Sequence, residues 1–196
     1  NAVIESLENN DIPGLDEDLK TRFLAESLFI RAHYFYHLVQ QFGDIPMPLK
    51  PTNSVETTAH KTKVDEVWNQ IVTDLEFAVE NLPETYQASE FGHITKYAAM
   101  HHLSRVYLTL KRSDDDLKKA LNYAEQVINS GKYSLVKSHA ELWDINNKNN
   151  SEVLFSVLYT QNAELNGDGN TAHMYFCSAY SEEHPAVKRV IEYGRP

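Results

Sequence analysis

Between residues 16 and 131 the chain repeats one pattern four times: an apolar residue at every third or fourth position, then a hard stop. That period predicts helices over 16–42, 63–81, 96–112 and 114–130. The first is the most apolar. Leu24, Leu28, Ala32, Phe35, Val39 and Phe42 form one stripe, and Ile30, Tyr34 and Leu38 a second on a neighbouring face. Two stripes predict a helix packed on both sides, as in a stacked helical array. Gly43 suits the left-handed position after the helix, and Pro46, Pro48 and Pro51 keep the helix from resuming.

The second helix opens on Thr62 and Asp65, a capping-box-like pair, and carries Val64, Trp68, Ile71, Leu75, Ala78 and Leu82 before Pro83. Thr95 caps the third, which turns Ala99, Leu103, Val106 and Leu110 to one side. Ser113 caps the fourth, and Asp114, Asp115 and Asp116 sit at the positive end of its dipole. Leu117, Ala120, Ala124, Val127 and Ile128 are expected to face inward. The link between these two helices is about one residue, which demands a tight antiparallel hairpin. After Gly131 the period disappears. Residues 133–135 read as a short extended piece, 140–143 as a helical turn, and Asn146, Asn147, Asn149 and Asn150 as a polar loop. Residues 152–159 read as a buried strand, and 160–185 as an irregular stretch rich in Asn, Gly, His and Tyr. The fold class is mainly α: helical hairpins, one or two short strands, and a long irregular C-terminal segment.

A net charge of −10 excludes a nucleic-acid partner held by phosphate contacts. No apolar run reaches the roughly 20 residues that span a bilayer. The opening Asn1-Ala2-Val3-Ile4 does not read as a signal peptide. Cys177 is the single cysteine and reads as a small buried hydrophobe. His33 and His37 stand four apart, a spacing that can share a metal. No glutamate follows the first histidine and no third ligand stands out, so no metal or other cofactor is assigned. His101 and His102 read as structural or exposed. No GxSxG, Walker loop, GxGxxG or CxxC is present. Aromatics and amides gather at Tyr159, Asn162, Asn166, Asn170, His173, Tyr175, Phe176 and Tyr180. Such residues can stack on sugars and bond hydroxyls, or can simply pack a loop onto the helices.

Several motifs also align with one family. Glu26 through Gln40, followed by Phe42-Gly43-Asp44-Ile45-Pro46, resembles the E-x-x-F-x-R-A-x-Y-Y-F-x-L-V…G-D-V-P signature of the SusD/RagB family. Val67-Trp68…Ile71…Asp74-Leu75…Ala78…Leu82-Pro83 is similar in kind. So are Ile94-Thr95-Lys96-Tyr97-Ala98-Ala99 through Arg105-Val106-Tyr107-Leu108, and Asn150…Glu152-Val153-Leu154-Phe155. His93-Ile94 and Tyr97 depart from the family pattern.

The resemblance implies tetratricopeptide-like helices over 12–135 and an irregular segment over 136–196 with the strand at 152–159. It implies a non-enzymatic surface lipoprotein of the outer membrane that binds nutrients, often oligosaccharides. Such a protein serves a TonB-dependent transporter of the SusC type. Family members are longer, so the chain is expected to be a fragment, with the lipid anchor outside it. Ligand contacts within it are expected at Asn162, Asn170, His173, Tyr175 and Tyr180, and the helical faces are expected to meet the transporter. A soluble tetratricopeptide-like scaffold that binds peptides is the competing reading, and a glycosidase a distant third.

Overall fold

The structure, a computed structural model, describes residues 1–9, 11–55, 57–147 and 149–158. All its described helices lie in one unit, Asn1–Ser156. They are α1 (Ala2–Glu8), α2 (Glu17–Phe42), α3 (Val64–Asn81), α4 (Lys96–Leu110), α5 (Asp114–Asn129) and α6 (His139–Leu142). The four long ones fall where the apolar period places them. α6 matches the helical turn expected near 140–143, whereas α1 has no counterpart among the expected elements.

Each long helix but α3 begins on a residue that satisfies its first N–H groups. Asp16 accepts from Asp18 and Leu19, Thr95 from Ala98, and Ser113 from Asp116. α3 differs from expectation. Its N-cap is Lys63, with no side-chain cap of its own, and Thr62 and Asp65 form no capping box. Asp44 supplies the cap instead, from beyond the previous helix. One of its carboxylate oxygens accepts the Val64 N–H at 2.9 Å, and the other accepts from Lys63 Nζ at 2.8 Å.

This explains the abrupt end of α2. Gly43 takes φ +67°, a conformation side chains resist, and turns the chain back. Asp44 then caps α3, and Ile45 pairs with Thr62 in an antiparallel bridge. Two helix ends are thus fastened at one point. The α4–α5 link is longer than expected. α4 ends at Leu110, and Lys111 adopts a left-handed conformation at φ 42°.

α2 packs on α3, α3 on α4, and α4 on α5, while α1 lies against α2; α2 touches α4 only lightly. The core runs through this staircase. It joins Phe29, Ala32, Phe35 and Val39 of α2 to Trp68, Ile71 and Leu75 of α3. Leu103, Val106 and Tyr107 of α4 and Ala120 of α5 continue it.

The second stripe of α2 is not buried. Ile30, Tyr34 and Leu38 are exposed, as are Phe42 and Ile128. At 3.6 residues per turn, the buried set Ala25, Leu28, Phe29, Ala32, Phe35, Tyr36 and Val39 fills one broad sector. Ile30 and Tyr34 stand on the opposite side of the cylinder. Phe29 and Tyr36, absent from the expected stripes, do the packing.

The strand expected over 152–159 does not form across its described residues, 152–158. A strand needs a ladder of bonds to a neighbour, and here the ladder is intercepted. Ser134 N–H donates to the Ser151 carbonyl at 2.9 Å, but the next opportunity goes to a side chain: Val136 N–H donates to Glu152 Oε2 at 3.0 Å.

Candidate functional site

α2 and α4 each turn a polar flank toward the segment 142–156, and a cleft of about 480 Å³ lies among the three. On α2, His33 and His37 are one turn apart, with ring centroids 4.7 Å from each other. α4 contributes His101, His102 and Arg105. His102 is only 4% exposed, set against Tyr36 at 4.9 Å, His33 at 5.4 Å and Phe29 at 5.6 Å between ring centroids. Its Nε2 is buried without a hydrogen-bond partner among the described residues. The adjacent pair His101-His102 therefore splits, one ring outside and one inside.

Burial pushes the His102 pKa down to about 3, and the neighbouring His33, Arg105, His101 and His37 push the same way. His33 is lowered by burial, then by His37 and Arg105; His101 by burial, then by Arg105. Near neutral pH these imidazoles are uncharged groups that can both donate and accept. Arg105 is the fixed cation of the cleft. Its guanidinium lies 5.4 Å from the centre of the Tyr36 ring, and no carboxylate among the described residues forms an ion pair with it.

The opposite wall is aromatic. Phe155 stands edge-on to Phe29 at 5.2 Å and to His33 at 5.6 Å. Trp143 is 73% exposed, its indole N–H donating to His139 Nε2 at 2.9 Å. Flat apolar faces beside a few convergent polar groups suit a ligand with ring faces and hydroxyls. Three imidazoles cluster here, but no three His, Cys, Asp or Glu side chains among the described residues are placed to hold a metal ion.

A second cleft, of about 430 Å³, opens beside the 82–95 loop. Three of its lining side chains, Tyr86, Glu90 and His93, are already engaged with α2. Glu26 accepts from the Tyr86 hydroxyl at 2.9 Å and bonds His93 Nδ1 at 2.9 Å, while Arg22 reaches Glu90 at 3.1 Å. Burial and then the Glu26 contact raise the Tyr86 pKa, which keeps its hydroxyl a donor. This network ties the loop to α2.

The expected ligand residues Asn162, Asn170, His173, Tyr175 and Tyr180 lie outside the described residues. Arg105, Trp143 and Phe155 are not among the site residues expected from sequence. The four-residue spacing of His101 and Arg105, which puts both on one helix face, was the available signal.

Residues 1–108 match a family described as SusD-like, starch-binding and associating with the outer membrane. SusD-like protein P25 of Formosa agariphila is 26% identical over 158 residues, which covers 80% of this chain and 29% of that protein. A laminarin-binding SusD-like protein of known structure is 29% identical, with TM-score 0.72, over 85% of this chain and 36% of its own. A structure solved with xylogluco-oligosaccharide is 26% identical, with TM-score 0.73, over 81% of this chain and 32% of its own. The chain thus spans about a third of the length of these relatives. No described helix is long and apolar enough to cross a membrane.

Proposed function

Because the chain belongs to the SusD-like family, we propose that it is part of a non-catalytic binding protein that captures oligosaccharides at the cell surface. The bound sugar is passed to a TonB-dependent transporter of the SusC type in the outer membrane, where a lipid anchor holds the binding protein. The observation that carries this reading is the shared fold with a laminarin-binding relative over 85% of the chain. The aromatic cleft between α2, α4 and 142–156 supports it, because it offers ring faces and neutral hydrogen-bonding groups together. The segment containing Asn162, Asn170, His173, Tyr175 and Tyr180 supplies further contacts.

Calorimetric titration of the purified protein against a panel of plant, algal and bacterial oligosaccharides tests the binding step. Saturable binding of at least one, with no change in the sugar by chromatography, is the expected result. Turnover of the sugar would make the protein an enzyme. Co-purification with an outer-membrane transporter from membranes of the native cell tests delivery, and recovery from the cytosol alone would favour the soluble scaffold.

A further inference from the structure

The charge around the α2–α4 cleft runs against that of the chain. The protein carries a net charge of −10. Yet the cleft presents Arg105 without a carboxylate partner among the described residues, flanked by His101 on the same helix face and His33 across from it. Among the described residues, Glu152 is the one carboxylate lining the cleft, and it already accepts the Val136 N–H. Beneath lies the unpartnered Nε2 of His102. An unpaired guanidinium beside neutral imidazoles and an exposed indole favours an anionic group on a ring over a neutral ring alone.

We propose that this cleft selects acidic oligosaccharides. Arg105 takes the carboxylate or sulfate of one sugar, while Trp143 and Phe155 offer ring faces. The inference rests on the carbohydrate-binding reading above and adds the charge of the ligand. A carboxylate or a sulfate ester presents the same chemistry to Arg105: at least two terminal oxygens sharing one negative charge, matched to the guanidinium fork. A bound anion also favours protonation of the partly buried imidazoles that line the cleft, His33 from α2 and His101 from α4, with Arg105 and the facing segment's Glu152 as the charged groups beside them and His102 too deeply buried to follow. Binding therefore takes up protons and tightens as pH falls below neutrality.

The test is calorimetric titration with three probes: an oligogalacturonide, a sulfated carrageenan oligosaccharide and a neutral laminarin oligosaccharide. The expected result is that at least one acidic probe binds more tightly than the neutral one. Arg105→Ala then weakens that probe by about ten- to a hundredfold, the loss of a charge-assisted contact, and Arg105→Lys weakens it less. The two acidic arms distinguish carboxylate from sulfate.

If Arg105→Ala misfolds by circular dichroism, salt carries the test on the unaltered protein: added sodium chloride weakens the acidic probe and spares the neutral one. Three results overturn the inference. In the first, the neutral probe binds as tightly as the acidic ones. In the second, a folded Arg105→Ala variant binds the acidic probe like the parent. In the third, acidic binding is indifferent to salt. Each of these, with sugar binding retained, leaves the carbohydrate reading standing. Binding of none of the three probes overturns the acidic selection, and failure across the wider panel would remove the carbohydrate reading as well.

Discussion

Arg31 of α2 grips Asp74 of α3 through two parallel bonds, Nε to Oδ2 at 2.8 Å and an Nη to Oδ1 at 2.7 Å. Asp74 is 2% exposed and takes a further bond from Gln70 at 2.7 Å. Removing one partner strands the other, Asp74 at 2% side-chain exposure or Arg31 at 13%, largely shielded from water. Asp74→Ala is therefore expected to cost about 3–5 kcal/mol in urea unfolding, and the double change Arg31→Met with Asp74→Leu much less. Equal losses in the two variants would mean that packing, not the stranded charge, sets the cost.

Asp44 caps α3 from outside it, and its carboxyl is held below its ordinary range by the Lys63 bond and then by the Val64 N–H. Asp44→Ala is expected to lower the thermal midpoint, while Asp44→Asn, which can still accept the N–H, lowers it less. A carboxyl with a depressed folded pKa contributes stability above its unfolded value and loses it as pH falls through the folded one. The parent's advantage over Asp44→Ala should thus shrink under acid and persist at neutral pH. An advantage that is flat with pH would dismiss the charged cap.

His102 works at higher pH. Unfolded, it takes a proton below its ordinary 6.5; folded, it resists until about 3. Its neutral burial therefore favours the fold above pH 6.5, and that contribution drains away as pH falls toward 3. Within that window the parent loses about 1.4 kcal/mol per pH unit from this one group. His102→Phe, which cannot take the proton, should show a shallower decline in denaturant unfolding between pH 6.5 and 4. Parallel declines would show that His102 is not the acid-sensitive group.

Tyr175 and Tyr180 remain the expected stacking residues beyond the described part of the chain. In calorimetry with an oligosaccharide that the parent binds, Tyr175→Ala or Tyr180→Ala should weaken affinity by about 1–3 kcal/mol, taking stacking of bases on aromatics as the guide. Unchanged affinity in both folded variants would show that these two tyrosines are not stacking platforms and that the sugar is held elsewhere.

What the sequence made legible followed from short-range rules. Thr95 and Ser113 lie next to the helices they cap, and the period from Trp68 to Leu82 is set within one helix. The Asp44 cap was hidden because donor and acceptor are twenty residues apart. For α2, apolar character alone does not mark burial. Ile30 and Tyr34 are apolar yet outward, whereas Phe29 and Tyr36 pack because α4 approaches their side of the helix. The candidate cleft was invisible for the same reason. His33 and His102 were each noticed, but a one-dimensional reading could not place them 5.4 Å apart.

The clasp of Ile45 on Thr62 also makes the intervening chain a detour. Its first residues stay on the scaffold, where Met47 packs against the core and Asn1 Nδ2 donates to the Pro48 carbonyl at 2.7 Å, but Val55 further along is 93% exposed. Length added near Val55 would stretch a loop whose two feet are already fixed, and closure entropy grows only slowly with length. The detour is a place where this architecture can take on new sequence, a recognition loop or a grafted epitope, while α2 and α3 keep their register.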